Sequence, residues 1–328
     1  MADALCLGEL LVDFVPTRTG AGLAEAEAFQ KAAGGAPANV AAGLARLGVS
    51  SGFLGQVGDD GFGRFVADTL ARVGVDTSSL RHTARARTAL AFVSLAADGD
   101  REFLFYRSPS ADMLYAPEDV DEAAIARAKL LHFGSIGLIG EPSRSATLHA
   151  VALARRHGLR VSYDPNLRLA LWPDADAARE GLLLGLRHAE IVKIGAEEVQ
   201  FLTGRDDPVA GVRALWHDGL RLVAVTRGAA GCLWLTPGAR GEVPGYAVEA
   251  VDTTGAGDAF MAGLLAGLLD GPALGTPAGV EPDPAALDRA CRLGNAMGAL
   301  TSTGRGAIPS IPDRRAVEAF LASRGAAV

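Results

Sequence analysis

The segment from Asp252 to Asp258 reads Asp-Thr-Thr-Gly-Ala-Gly-Asp, and an apolar run follows it directly. Its two glycines allow a sharp turn that exposes consecutive backbone N–H groups, and the apolar run is long enough for a buried helix. The first N–H groups of that helix point into the turn and create an anion site. We therefore predict phosphoryl transfer: Gly255, Ala256 and Gly257 hold the migrating phosphate, and Asp258 activates the acceptor alcohol.

An ordinary interpretation competes with this one. An Asp at a helix start usually caps the helix, and Gly-x-Gly is usually a turn. However, a helix this apolar is buried, and a buried helix start that keeps an ionised acid beside two glycines is unusual. Asp252 adds a second acid six residues earlier on the same loop. These two features favour the phosphoryl-transfer interpretation.

Other polar residues stand where an α/β sheet collects ligands. Asp13 lies among apolar neighbours, and we expect it at the end of the first strand, where ligands bind; its alternative is a turn cap. Gly34 and Gly35 precede an alanine-rich helix whose first turns contain Asn39. Asn39 either caps this helix or hydrogen-bonds a polyol that rests on the two glycines. Arg107 stands at a hinge, where it either contacts an anionic or polyol ligand or lies in solvent.

The elements that must position these residues alternate between strand and helix. We predict strands at 4–7, 53–57, 130–133, 160–163, 191–194 and 222–226, with helices between most of them, at 143–157 and 174–188 for example. This alternation implies a parallel sheet with right-handed crossovers. Two β-rich runs, 88–96 and 101–106, flank Asp98-Gly99, a strong hairpin signal. This hairpin is expected to form a small β appendage, either a flap over a cleft or a dimer surface.

Composition bounds the remaining possibilities. The 328 residues are 49% hydrophobic and carry a net charge of −7, which allows a large core and argues against nucleic acid or an anionic membrane as a partner. Cys6, Cys232 and Cys291 lack disulfide or metal spacing, so we expect the cytoplasm. No basic N-terminal segment indicates a signal peptide, and no apolar run is long enough for a membrane span.

Two phosphate-binding fingerprints are missing from the sequence. There is no G-x-x-x-x-G-K-[ST], which disfavours a P-loop enzyme. No G-x-G-x-x-G follows the first strand, which disfavours an NAD-dependent oxidoreductase.

Gly34 to Asn39 (Gly-Gly-Ala-Pro-Ala-Asn) and Asp252 to Phe260 resemble the two signatures of the PfkB (ribokinase-like) carbohydrate kinases, and the similarity runs nearly end to end. The fructokinases of that family are the most similar, through 8–14, 106–113, 164–168 and 306–309. The resemblance implies a three-layer α/β/α sandwich with a mainly parallel central sheet and a small β-sheet lid. We expect a single domain, 1–328, with a lid from about 10–33 and 85–110. The implied reaction is phosphorylation of a sugar primary hydroxyl by ATP, with fructose giving fructose 6-phosphate.

The resemblance also implies roles for individual residues. Asp258 matches the catalytic base and Gly255 to Gly257 the anion hole. The remaining matches are sugar contacts at Asp13, Gly34, Gly35 and Asn39; residues near the sugar and the transferring phosphate at Arg107 and Arg168; nucleotide contacts at Thr226, Gly228, Gly231 and Asn295; and a monovalent-cation site, with potassium expected, at Asp252, Thr254, Thr301, Gly304, Gly306 and Ser310.

One position departs from the family pattern. The family often carries Asn-x-x-Glu after the strand at 191; here Glu198 matches the Glu, but Gly195 replaces the Asn. The resemblance implies that Glu198 holds Mg²⁺ through water. Because Gly195 lacks the side chain of the family's Asn, Lys193 is expected to supply part of the phosphate contact.

Several alternatives stay open. Within the family they are a 2-keto-3-deoxygluconate kinase, whose acid substrate would favour extra arginines at the lid, and a ribokinase. A non-catalytic sugar or nucleotide sensor on the same fold is more remote, because a sensor does not need a base at 258. The expected partners are a sugar and ATP, with a homodimer through the lid as a further expectation.

Overall fold

The computed structural model of the protein describes residues 2–18, 22–95, 101–271 and 283–325. A nine-stranded sheet forms its centre. The strands of this sheet are β1 (Ala4–Leu7), β4 (Ser51–Gly58), β5 (Leu80–Thr83), β8 (Leu130–Gly134), β9 (Arg160–Asp164), β10 (Ile191–Gly195), β11 (Leu222–Thr226), β12 (Cys232–Leu235) and β13 (Arg240–Val243). Their order is β13-β12-β11-β10-β9-β8-β1-β4-β5, and all neighbours are parallel except that β12 runs antiparallel to β11 and β13.

Helices cover both faces of this sheet. They are α1 (Ala36–Arg46), α2 (Gly61–Arg72), α3 (Glu122–Ile125), α4 (Ser143–Arg156), α5 (Ala175–Leu186), α6 (Ala196–Thr203), α7 (Pro208–Ala214), α8 (Ala256–Leu269), α9 (Pro284–Thr301), α10 (Ala307–Ser310) and α11 (Arg314–Ser323). No helix in the described part of the chain is long and apolar enough to cross a bilayer.

Two hydrophobic cores lie on opposite faces of the sheet. Along β1, Ala4 and Cys6 belong to the core shared with α1, α8 and α9, whereas Leu5 and Leu7 belong to the core shared with α4 and α5. Alternate residues of a strand point to opposite faces, so both faces are buried. The predicted three-layer α/β/α sandwich with a mainly parallel sheet is confirmed.

A second sheet of four strands forms the predicted lid. Its strands are β2 (Leu11–Pro16), β3 (Phe29–Gly34), β6 (Leu90–Leu95) and β7 (Arg101–Tyr106), in the order β3-β2-β6-β7. The predicted turn at Asp98-Gly99 lies outside the described residues. β3 was not predicted as a strand, because its Gln30 and Lys31 resemble the polar segment before them. The expectation of a single domain stays a prediction.

The predicted location of Asp13 was wrong. We expected it at the carboxyl end of the first core strand, but β1 ends at Leu7 and Asp13 lies inside β2, opposite Ala91 of β6. Residues 8–10 separate the two strands, and Gly8 has a φ of 156° there. The chain thus leaves the central sheet for the lid before it reaches Asp13.

Asp60 connects the lid to the central layer. Its Oδ1 accepts hydrogen bonds from the N–H groups of Phe62 (2.9 Å) and Gly63 (2.8 Å) and so caps α2, and its Oδ2 accepts one from the N–H of Thr88 (2.9 Å), just before β6. Burial alone would raise the pKa of Asp60, but these hydrogen bonds outweigh burial and lower the pKa.

We expect Asp60→Ala to lower the free energy of unfolding by about 1–2 kcal/mol, because a cap and a lid contact are lost together. Asp174→Ala is the matched control, since Asp174 caps α5 through Ala177 alone. A carboxyl with a lowered folded pKa stabilises the protein above its ordinary pKa and loses that effect as the pH falls through the folded value. Urea unfolding at pH 7 and pH 3 should therefore show a smaller difference between wild type and variant in acid. Equal losses for both variants at pH 7 would contradict the lid contact.

Candidate active site

The glycine turn before α8 forms where the sequence predicts it, at the start of the helix. Gly255 is the N-cap of α8 with a left-handed φ of 77°, and a β-carbon there would lie 2.6 Å from that of Ala307. A β-carbon on Gly257 would approach Lys193 Nζ to 3.0 Å. Ala256 differs from its glycine neighbours in that its N–H already donates to Thr253 O at 3.2 Å. Backbone of the turn and a buried ammonium group thus meet at one point, which suits a phosphoryl group.

Asp258 lies in the first turn of α8 and is 7% exposed. Asn39 Nδ2 donates to its Oδ2 at 2.7 Å, and Asn166 Nδ2 lies 3.4 Å from its Oδ1. Burial raises the pKa of Asp258, while the Asn39 hydrogen bond and the charges of Lys193 and Arg168 act in the opposite direction. A carboxylate with a raised pKa is a better proton acceptor than an exposed one, as a general base requires.

Two cavities meet beside this carboxylate, at the neighbouring Gly257. A small one of about 130 Å³ lies against the lid and is lined by Asp13, Gly35, Asn39 and Asp258 among others. A larger one of about 820 Å³ lies along the ends of β10 and β11. Both are lined by Asn166, Arg168, Lys193, Thr253 and Gly257. Two ligands could therefore bind side by side, with their reacting ends at Gly257.

The predicted sugar contacts lie in or beside the small cavity. The residues that line it are Asp13, Gly35, Asn39 and Arg168. Gly34 does not line the cavity but packs against the Asp13 carboxylate, since a β-carbon on Gly34 would lie 2.1 Å from Asp13 Oδ2. Burial raises the pKa of Asp13 to about 7; Arg168 opposes this rise, and the charge of Asp258 adds to it.

Arg107 is not placed as predicted. Its guanidinium is buried and pairs with Asp112 (Nε–Oδ2 2.7 Å, Nη2–Oδ2 2.6 Å), and among the described residues it lines neither cavity. A direct ligand contact by Arg107 is therefore not supported, because a carboxylate five residues along the chain already binds its charge.

The predicted nucleotide residues share the larger cavity. Thr226, Gly228, Gly231 and Asn295 all line it. Asn295 Nδ2 donates to the carbonyls of Val243 (3.1 Å) and Pro244 (3.0 Å), so its side chain also fixes the cavity wall after β13.

Lys193 lines both cavities, Glu198 lines the larger one, and both residues are buried. Lys193 Nζ lies 2.9 and 3.1 Å from the two carboxylate oxygens of Asp164. Burial alone would lower the pKa of Lys193, but the charges of Asp164, Glu198 and Asp258 outweigh it and raise the pKa. Glu198 accepts hydrogen bonds from Leu167 N–H and Gly195 N–H, both at 2.7 Å. Its carboxylate therefore connects the loop after β9 to the end of β10.

Two of the predicted cation residues, Thr254 and Gly306, hydrogen-bond to Asp252. One oxygen of Asp252 accepts from Thr254 N–H (2.9 Å) and Oγ1 (2.6 Å), and the other from Gly306 N–H (2.9 Å). Thr301 is fully buried, and within the described chain its Oγ1 has no hydrogen-bond partner. Gly304 packs against Ser310, since a β-carbon on Gly304 would lie 2.3 Å from Ser310 Oγ. The residue after Thr301, Ser302, accepts a hydrogen bond from Asp252 N–H at 3.1 Å, so the loop with the unsatisfied oxygen is bonded to the segment with the buried acid, which fits a monovalent cation.

Three site residues were not assigned from the sequence. Asp164 is the last residue of β9, and Asn166 lies two residues beyond it. The rule that ligands collect at the carboxyl ends of strands could therefore have identified both. Glu9 lines the small cavity, and its Oε1 accepts from Ala36 N–H at 2.8 Å. Burial raises the pKa of Glu9 to about 7. The sequence signal that could have identified Glu9 as a site residue is its position as a charged residue among apolar ones.

We expect Asp13→Asn to raise the melting temperature at pH 8 and to raise the KM for the sugar at least about 10-fold, since a residue that lines the small cavity loses its charge and one of its two acceptor oxygens. An acid whose folded pKa is raised contributes stability in its protonated form below about pH 4, and that stability is lost as the pH rises through about 7. The variant's advantage in melting temperature should therefore grow from pH 5 to pH 8. Asp59→Asn, at an exposed acid, is the control. An advantage that does not change with pH would contradict the assignment.

Comparison with known proteins gives a consistent result. The family model described as pfkB family carbohydrate kinase matches residues 1–314. Fructokinase-1 from Oryza sativa subsp. japonica is 50% identical over 308 residues, which cover 93% of each chain. Among solved structures, a fructokinase from Xylella fastidiosa with bound ATP superposes with a TM-score of 0.88 at 34% identity, covering 99% of this chain and 100% of that one. A double variant of fructokinase from Vibrio cholerae O395, with fructose, ADP and potassium bound, gives 0.86 at 36% identity, covering 98% of each chain.

Proposed function

The chain belongs to the pfkB family of carbohydrate kinases, and from this premise we propose that it transfers the γ-phosphoryl group of ATP to fructose, giving fructose 6-phosphate and ADP. The observation that carries the proposal is the position of Asp258, a buried carboxylate that lines the small polar cavity next to Gly257, where the larger cavity joins it. Relatives that are called fructokinases cover nearly the whole chain at up to 50% identity, which supports fructose as the acceptor.

The proposed reaction assigns a role to each residue of the site. The sugar binds against Asp13, Gly35 and Asn39, with its primary hydroxyl toward Asp258. The hydroxyl oxygen attacks the γ-phosphorus, the bond to the β-phosphate oxygen breaks, ADP leaves, and Asp258 takes the hydroxyl proton. The glycine turn and Lys193 stabilise charge on the transferring group.

The residues at the end of β10 fit a magnesium ion held mainly by phosphate oxygens and water. Magnesium in kinases usually keeps several waters and contacts one or two carboxylates, and Glu197 and Glu198 both line the larger cavity. The described residues contain no cluster of three or more side chains that would hold a metal without a nucleotide. When bound, magnesium would neutralise charge on the β- and γ-phosphates. We propose a potassium site at Asp252 and the loop from Thr301 to Ser310, on the basis of the buried Thr301 Oγ1.

A neutral sugar fits this site better than a sugar acid. Arg107, the lid arginine that could have met a carboxylate, is already balanced by Asp112. The test is an ADP-release assay with fructose, 2-keto-3-deoxygluconate and ribose. We expect the highest kcat/KM with fructose. A clear preference for the acid would replace fructokinase with the acid kinase, and no ADP release with any sugar would favour a sensor.

We also propose that two copies associate through the lid. Leu104 and Tyr106 are 47% and 61% exposed on the outer face of this sheet, next to Phe92, which stacks on Phe14. An exposed apolar patch of this kind is typical of an interface. Sedimentation velocity should give a dimer that Leu104→Lys converts to a monomer; a monomeric wild type would refute the proposal. The three free, buried cysteines fit the cytoplasm, which we propose as the location.

A further inference from the structure

The loop that follows β9 holds one residue in an unfavourable backbone conformation. Asn166 has a φ of 42°, and it is the only residue other than glycine with a positive φ in the part of the chain that is described. Asparagine tolerates the left-handed region better than most residues, yet the conformation still costs free energy. Such conformations persist where the surrounding structure enforces them, and they cluster at functional sites.

Two buried carboxylates enforce this conformation. Asp164 Oδ1 accepts a hydrogen bond from Asn166 N–H at 3.2 Å, and Glu198 Oε1 accepts one from Leu167 N–H at 2.7 Å. Asp164 is in turn fixed by Lys193, and Glu198 by Gly195 N–H. The backbone on both sides of the Asn166 side chain is therefore anchored to the central layer.

This backbone directs the carboxamide of Asn166 to the reaction centre. Asn166 lines both cavities, and its Nδ2 faces Asp258 Oδ1 at 3.4 Å. The other oxygen, Oδ2, is bound by Asn39 Nδ2 at 2.7 Å. Two amide donors from distant parts of the chain thus face the two oxygens of one carboxylate. Asn39 alone would leave that carboxylate free to rotate about its Cβ–Cγ bond, because terminal carboxylate torsions have broad minima.

We propose that Asn166 is a positioning residue for phosphoryl transfer, whose carboxamide N–H orients the carboxylate of Asp258 so that Oδ1 faces the sugar hydroxyl. The inference rests on the proposed kinase function. Oδ1 has the longer contact, so it is the oxygen with room to accept the hydroxyl proton, while Oδ2 stays bound to Asn39. A donor is required at 166, because an acceptor there would repel the ionised base.

Two variants separate this role from a structural one. Asn166→Gly suits the left-handed backbone and removes the carboxamide, so the melting temperature should be unchanged or higher while kcat falls by about 10- to 100-fold, as misplacement of a reacting group predicts. The KM for fructose should change much less than kcat, because Asp13 and Gly35 remain. A merely structural Asn166 would make the glycine variant harmless.

Asn166→Asp keeps the size of the side chain but replaces the donor with a negative charge beside Asp258. That charge should raise the pKa of Asp258, so the acid limb of the kcat/KM profile should move to higher pH than in wild type. The other charged groups near Asp258 are the same in both proteins; they are Asp13, Asp164, Arg168, Lys193 and Glu198.

The outcomes are distinct. Glycine-variant turnover within about 3-fold of wild type, an aspartate-variant acid limb at the wild-type pH, or a lowered melting temperature in both variants would each overturn the inference. A wild-type protein that phosphorylates no sugar would instead refute the proposed function.

Discussion

Replacement of Asp258 by Asn is expected to lower kcat for fructose phosphorylation by about 10²- to 10⁴-fold, because the acceptor hydroxyl loses its proton acceptor. The change is nearly isosteric, and the new carboxamide oxygen can still accept the hydrogen bond from Asn39. Residual turnover should remain, because positioning and electrostatics contribute more than the base to a loose transition state. KM values should change little, so the loss should appear in kcat and kcat/KM together.

The stability of this variant serves as its internal control. Burial raises the pKa of Asp258, so the ionised carboxylate makes the folded state less stable as the pH rises through the folded pKa. A neutral Asn removes that effect, and the melting temperature at pH 8 should be at least that of wild type. Asp218→Asn, at an exposed position before β11, should leave both quantities unchanged. Turnover of Asp258→Asn within a few-fold of wild type, with the fold intact, would exclude Asp258 as the base.

Lys193→Met is expected to be the most destabilising of the substitutions considered. Lys193 and Asp164 form a buried ion pair, with side chains 7% and 2% exposed. Removal of one partner of such a pair leaves a buried charge without compensation, which costs about 3–5 kcal/mol. Protonation of Asp164 would remove its uncompensated charge, and protonation is easier at lower pH. The loss in free energy of unfolding should therefore be greater at pH 8 than at pH 6. Urea unfolding at both pH values measures it.

A second substitution separates stability from catalysis. In Lys193→Met with Asp164→Asn no buried charge remains at this pair, so most of the lost stability should return. The kcat should stay about 10²-fold low, because the ammonium group that lies beside Gly257 is still missing. Recovery of kcat in the double variant would mean that Lys193 serves only to balance Asp164. Lys129→Met, which breaks an exposed pair with Asp3, should cost less than about 1 kcal/mol.

The sequence supported much of the fold because its signals are local. Most strands of the central sheet are short apolar runs between glycines and polar loops, and several of the helices between them begin at a capping Asp. Errors occurred where pairing partners decide the structure. β3 and β13 each expose two polar side chains and form no apolar run, and hydrogen bonds to β2 and β12 make them strands. Asp13 was misplaced because its local sequence does not indicate which sheet it joins.

The site residues also fall into two groups, those whose arrangement follows from local sequence and those whose partners lie elsewhere in the fold. The turn at Gly255 to Gly257 and the acid at 258 are neighbours in the chain, so helix geometry alone predicts how they meet, and the resemblance to carbohydrate kinases is confirmed. Arg107 shows what the sequence could not predict, because nothing local indicates whether Asp112 or a ligand would pair with its guanidinium group.

The sequence by itself determined the family, the alternation of strands and helices through most of the central layer, and the glycine turn with its adjacent acid. Only the tertiary structure decided that Asn39, 219 residues away, and Asn166 face the two oxygens of Asp258, and that Lys193 pairs with Asp164. The physical reason is that backbone geometry acts over a few residues, whereas the packing of helices on both faces of the sheet brings distant strand ends together.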